Sequence, residues 1–172
     1  MMKDKLGLSI SDEGDNNLIG RLQEVLHHTE TDMTIFFRNL AKLTRETKVD
    51  AGGDFLEVVK EAFYQPEEIK GVVLEAWKKW FELYLQRLKK EEQTDKERRL
   101  LMNKVNPKYV LRNYMAQLAI DAADKGDFSI VEELYSLMKA PYEEQEESEK
   151  WFAKRPEWAR HKVGCSMLSC SS

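Results

Sequence analysis

The sequence is nearly without cysteine. Its first 164 residues hold none, and the two it has, Cys165 and Cys170, both fall in the last eight of 172. That excludes a disulfide scaffold, in which cysteines are dense and spread along the chain. Long apolar runs are also missing. None approaches the roughly 18 residues that cross a bilayer, so no membrane span is expected. The opening stretch, MMKDKLGLSISDEGDN, has neither the apolar core of a secretory signal nor an Arg-rich, acid-poor transit pattern. Any address label is expected outside this sequence. Neither G-x-x-x-x-G-K-[ST] nor G-x-G-x-x-G occurs, and kinase signatures are absent, so no nucleotide cradle is expected here. Cys165, Cys170 and His161 lack the second ligand pair of a structural zinc site. The acidic stretches SDEGDNN and DAGGDFLE depart from the EF-hand spacing, which leaves no metal site to expect.

What is present is helical grammar. Hydrophobic residues make up 42% and charged residues 34%, with a net charge of −4, the balance of a globular domain. Ile69, Val73, Trp77, Trp80, Tyr84 and Leu88 recur at three- and four-residue steps, and Leu74, Phe81 and Leu85 widen that stripe, which predicts a long helix inside a bundle. Leu18, Leu22, Val25 and Leu26 predict an earlier helix, and Met33, Phe36, Phe37, Leu40 and Leu43 another. After the Gly-Gly break, Asp54 reads as an N-cap for a helix carrying Phe55, Val58, Val59, Ala62 and Phe63, and Pro66 as the start of the next. KKEEQTDKERR reads as a helical continuation or a short exposed turn. Asn106 and Pro107 read as N-cap and first turn of a helix stopped by Gly126, and Ser129 with Glu132 as the capping box of a second helix carrying Val131, Leu134, Tyr135 and Met138. The expected fold class is therefore all-α, an irregular helical bundle over residues 1–160 followed by a flexible tail over 161–172.

Charge predicts no nucleic-acid partner. Lys78, Lys79, Arg87, Lys89, Lys90, Lys96, Arg98 and Arg99 alternate with Glu82, Glu91, Glu92, Asp95 and Glu97, which reads as a solvated helix face. Acidic pairs arise by chance at this charge density, so no general acid or base is assigned and no catalytic residue is expected. His27 and His28 read as surface residues. The two thiols have two readings, ordinary residues of a disordered terminus or a tethered redox arm that meets a partner sulfur in another domain or chain.

The strings KLGL, TIFFRNL, NPKYVLRNYMAQLAIDAADKGDFSIVEELYSLMKAPY, KRPEWA and the ending SCSS occur in order along nearly the whole sequence. In these the chain resembles the C-terminal part of the selenoprotein O family of protein adenylyltransferases. The resemblance implies the helical C-terminal part of a protein-kinase-like fold. It also implies transfer of AMP from ATP, with Mg or Mn, to Ser, Thr or Tyr hydroxyls of other proteins, and a mitochondrial location in animals. The nucleotide- and metal-binding residues of the family belong to an upstream kinase-like domain, which becomes the expected partner alongside the protein substrates. This segment alone is expected to hold no cofactor and to be inactive. Cys170 falls where many animal members carry selenocysteine, so the resemblance implies a reversible bond from Cys170 to a cysteine of the kinase-like domain. Cys165 is a possible accessory thiol. Other readings are a free-standing helical interaction module without catalysis and a small thiol oxidoreductase. The isolated chain is expected to expose a sizeable apolar patch.

Overall fold

A computed structural model describes residues 1–49, 54–162 and 165. Among these the α-helices are α1 (Met2–Lys5), α2 (Asp15–His27), α3 (Met33–Leu40), α4 (Asp54–Glu57), α5 (Val72–Leu88), α6 (Asp95–Val105), α7 (Asn113–Ala123), α8 (Ser129–Met138) and α9 (Glu157–His161). Three short 3₁₀ turns and one isolated antiparallel bridge, Thr31 with Phe63, complete the regular structure described. The class is all-α, as expected. No helix among the described residues is long and apolar enough to cross a membrane. The chain divides into two compact units, Met1–Asn106 and Pro107–Ser172.

The first unit is built on α5. Its periodic face delivers Trp77, Trp80, Phe81, Tyr84 and Leu88 to the interior, all at most 1% exposed. Phe36 from α3 lies 5.6 Å from the Trp77 ring, and Trp80 stacks on Tyr84 at 5.1 Å. Burying each such ring contributes on the order of 2 kcal/mol. Asp32 caps α3 by accepting from the Ile35 N–H at 3.1 Å. The ambiguous charged linker resolves into a turn after α5 and a capping box for α6, with Thr94 and Glu97 exchanging hydrogen bonds. Pro66 opens only a 3₁₀ turn, and α5 starts at Val72. The N-cap expected of Asp54 involves residues outside those described.

Two local expectations are corrected by competing chemistry. Asn106 does not start a helix. The residue before a proline is driven out of the helical region, and Asn106 sits at φ −108°, ψ 103° as the C-cap of α6. In the second unit the Lys108 and Tyr109 N–H groups both donate to the Pro141 carbonyl, at 2.8 and 3.0 Å, which holds that stretch out of helix until Asn113. Gly126 does adopt φ +80° after α7, a conformation that L side chains resist. The expected Ser129–Glu132 box is replaced by the Asp127 carboxylate, which accepts from the Ser129 N–H at 2.9 Å. The core of this unit joins Tyr109, Tyr114, Met115, Ala119, Leu134, Leu137 and Trp151, whereas Val131 and Tyr135 face outward, 43% and 65% exposed.

Candidate functional site

Cys170 lies outside the described residues. Cys165 is described, and it overturns the expectation of an exposed thiol. It is 4% exposed and packs in the apolar core of the second unit beside Ala159 and Trp151. Its N–H donates to the Lys162 carbonyl at 3.0 Å. Lys162 is fastened in turn, its ammonium 2.6 Å from the Asp121 carboxylate on α7 and 5.6 Å from the Trp158 ring centre. Trp158 stands edge-on to Tyr114 at 6.3 Å. Contacts from α7, α8 and the 3₁₀ turn around Trp151 thus bury a residue that composition alone placed in a loose end.

A second cluster escaped sequence reasoning. Arg87, Glu91 and Arg98, read as part of a solvated face, are buried at 5%, 4% and 1% exposure. Arg87 donates to Asp15 and to Glu91, each at 2.7 Å, and to the Ile10 carbonyl at 2.8 Å. Glu91 also accepts from the Ser9 N–H at 2.9 Å and from the Ser9 hydroxyl. Burial alone would raise the Asp15 carboxyl, but the Asp12 N–H and the Lys3 and Arg87 side chains outweigh it and hold the group at about 2. Glu91 is likewise lowered, its Ser9 and Arg87 partners overcoming burial. Tyr84 is pushed up to about 12 by burial, donates to the Leu6 carbonyl at 2.8 Å and accepts from Arg98 at 3.3 Å. Arg98 also donates to the Leu43 carbonyl in the turn that follows α3, and Arg38 to the Asn103 and Asn106 carbonyls at the end of α6, at 3.1 and 3.0 Å. Cations at carbonyl-rich helix ends satisfy groups the helix leaves open. The i, i+4 spacing of Arg87 and Glu91 was the one local signal available.

Chemically this cluster is a strut. Both Glu91 oxygens and both Asp15 oxygens already accept hydrogen bonds or ion pairs, so neither is poised to take a substrate proton. In the second unit, Lys108 is 7% exposed and is held by Glu144 and Glu149 at 2.6 and 2.5 Å. Burial would lower its ammonium, and those two carboxylates raise it instead. No group of three or more metal-competent side chains occurs among the described residues. His27 and His28 are exposed, as expected.

Two surface features of the first unit could receive a partner. A groove of about 650 Å³ runs between α2 and α5, floored by Val25, Leu74 and Trp80 and rimmed by Arg21, His28 and Lys79. Leu100, Leu101 and Val105 on α6 stand 55%, 47% and 39% exposed.

Comparison with known proteins places these units. The family model described as protein adenylyltransferase SelO matches residues 1–139. The protein nucleotidyltransferase YdiU of Flavobacterium johnsoniae is 59% identical over 172 residues, which cover 100% of this chain and 32% of that protein. Its counterparts in Rhodopirellula baltica and Aromatoleum aromaticum are 48% and 44% identical, again over 100% of this chain and 33% and 32% of theirs. The chain therefore spans about a third of the length of the curated relatives it matches. Matched over most of its length by the family model and over all of it by these relatives, the chain belongs to the SelO family of protein adenylyltransferases.

Proposed function

We propose that this chain is the helical C-terminal part of a protein nucleotidyltransferase, supporting a kinase-like catalytic region without holding the nucleotide itself. In the reaction, a Ser, Thr or Tyr hydroxyl of a protein substrate takes AMP from ATP and pyrophosphate leaves. ATP and Mg or Mn are bound by that other region, so the chain alone transfers nothing. The observation that carries this reading is the match of the entire chain to one third of proteins named nucleotidyltransferases. The buried struts fit it, because they make a rigid support and offer no open acid, base or metal cluster among the described residues. Cys170 supplies redox control, pairing reversibly with a cysteine of the catalytic region. The mitochondrial address rests on the family resemblance alone, and the relatives named above are bacterial.

The test is incubation of casein or a cell extract with ATP labelled in its α-phosphate, using the chain and the Flavobacterium johnsoniae relative side by side. Label is expected on protein with the relative and not with the chain. Transfer by the chain unaided would sink the reading, and so would inertness of the relative.

The groove between α2 and α5 favours a second reading, a free-standing module that binds a partner helix. The reading frame upstream of the chain separates the two. A Gly-rich, Lys-bearing kinase-like region supports the first, and a stop codon supports the second.

A further inference from the structure

We propose that the outer face of α6 is the surface on which the catalytic region of the longer protein docks, through an apolar helix flanked by basic residues. This rests on the reading of the chain as one part of a longer nucleotidyltransferase. A surface helix ordinarily turns apolar residues to its own core and polar ones to water. In α6 both sides carry apolar residues. Met102 and the Arg98 stem pack inward, where a Cβ on Gly7 would stand 2.8 Å from the Met102 sulfur and 2.7 Å from Arg98 Cγ, so that side is already full. At 3.6 residues per turn, Glu97, Leu100, Leu101, Lys104 and Val105 fall within about 140° of arc turned away from it, and all five are exposed.

Two depressions flank Leu101 and Lys104. One, of about 270 Å³, lies between them and the buried Leu8, and the other, of about 540 Å³, opens toward Leu100 and Glu92. Sharing Gln93, Leu101 and Lys104, they make one groove along α6. The Gln93 amide donates to the Gly7 carbonyl at 2.8 Å and holds the groove's wall in place. Such a groove takes the spaced apolar anchors of a helix laid along it. Two observations choose the occupant. The chain spans 32% of the Flavobacterium johnsoniae relative and 33% of the Rhodopirellula baltica one, so roughly two-thirds of each lies outside it and is available to cover this face. The rim, moreover, carries three carboxylates, Asp4, Glu92 and Glu97, against one ammonium, Lys104. A second copy of the chain would oppose the same negative rim to this one, and like charges across an interface cost affinity. A helix with basic flanks pairs with it instead.

The test is the rate at which a maleimide alkylates Leu101→Cys, read by mass spectrometry on that peptide alone, in this chain and in the longer protein. Alkylation is expected to be about tenfold slower or more in the longer protein, whatever the protein concentration. Glu92→Lys in the longer protein should raise the rate again by about threefold, and added salt should act in the same direction. Should Leu101→Cys lose helix content, Leu100→Cys carries the comparison. Equal rates in the two proteins overturn the proposal, and so does protection that Glu92→Lys leaves unchanged. Protection that grows with protein concentration overturns it in favour of a second copy. A longer protein that shields Leu101→Cys but transfers no AMP sinks the proposed function and leaves the docking face standing.

Discussion

The two units hold themselves together in opposite ways. In the first, charge is inside: Arg87, Asp15 and Glu91 form a buried triad that ties residues 72 positions apart, around a core of stacked rings. In the second, a helical hairpin closes over a mixed core, and the buried Lys108 reaches carboxylates that are themselves 59% and 58% exposed. A buried ion whose partner is also buried is costly to orphan, whereas an exposed partner simply returns to water. The same residue types therefore act as rigid struts in one unit and as an adjustable clip in the other.

Removing the centre of the first network is the strongest way to break that contrast. Arg87→Ala leaves Glu91 buried without its cation and Asp15 with Lys3 alone, and is expected to cost about 3–5 kcal/mol in urea unfolding. Gly7→Ala comes next. Gly7 has φ +69°, and a Cβ there would stand 2.7 Å from Arg98 Cγ and 2.8 Å from the Met102 sulfur. A loss of about 2–3 kcal/mol is expected by the same measurement. Acid should then probe Asp15. Its folded value of about 2 lies below the ordinary 3.8, so its contribution is complete above that ordinary value and is lost as pH falls toward 2. The contribution is on the order of 2 kcal/mol. The gap in stability between the parent and Asp15→Asn should narrow across that interval, and a gap independent of pH would contradict the assignment. The smallest effect belongs to the second unit: Lys108→Met removes the ammonium that stands 5.5 and 5.3 Å from the Tyr109 and Phe152 ring centres, keeps an apolar stem of similar length, and should cost about 1 kcal/mol or less. A loss as large as that of Arg87→Ala would erase the distinction between the units.

The helices were legible wherever apolar spacing ran unbroken, as from Trp77 to Leu88, because periodicity reports burial directly. Which charges turn inward was not. Arg87 and Arg98 stand in one charged run with Lys89, Lys90 and Arg99, which are exposed, and their partners lie 72 and 55 residues away. Local sequence carries no sign of such pairings. Pro107 misled for another reason, since proline serves the first turn of one helix and ends the one before it, and only the tie from Lys108 to Pro141 decides between them. Cys165 was misread because its neighbours come from Tyr109, Leu134 and Trp151, remote in sequence from the small and polar residues beside it. Of the candidate thiols, then, one proved to belong to a core that the tail's own composition could not reveal.

The central claim is that these helices support a catalytic region supplied by other sequence. It is tested most directly by expressing the upstream region of the longer protein alone, adding this chain in trans, and measuring incorporation of AMP from α-labelled ATP into protein. Label should appear only, or far faster, when the two are combined. Equal labelling by the upstream region without the chain, or any labelling by the chain alone, would contradict it.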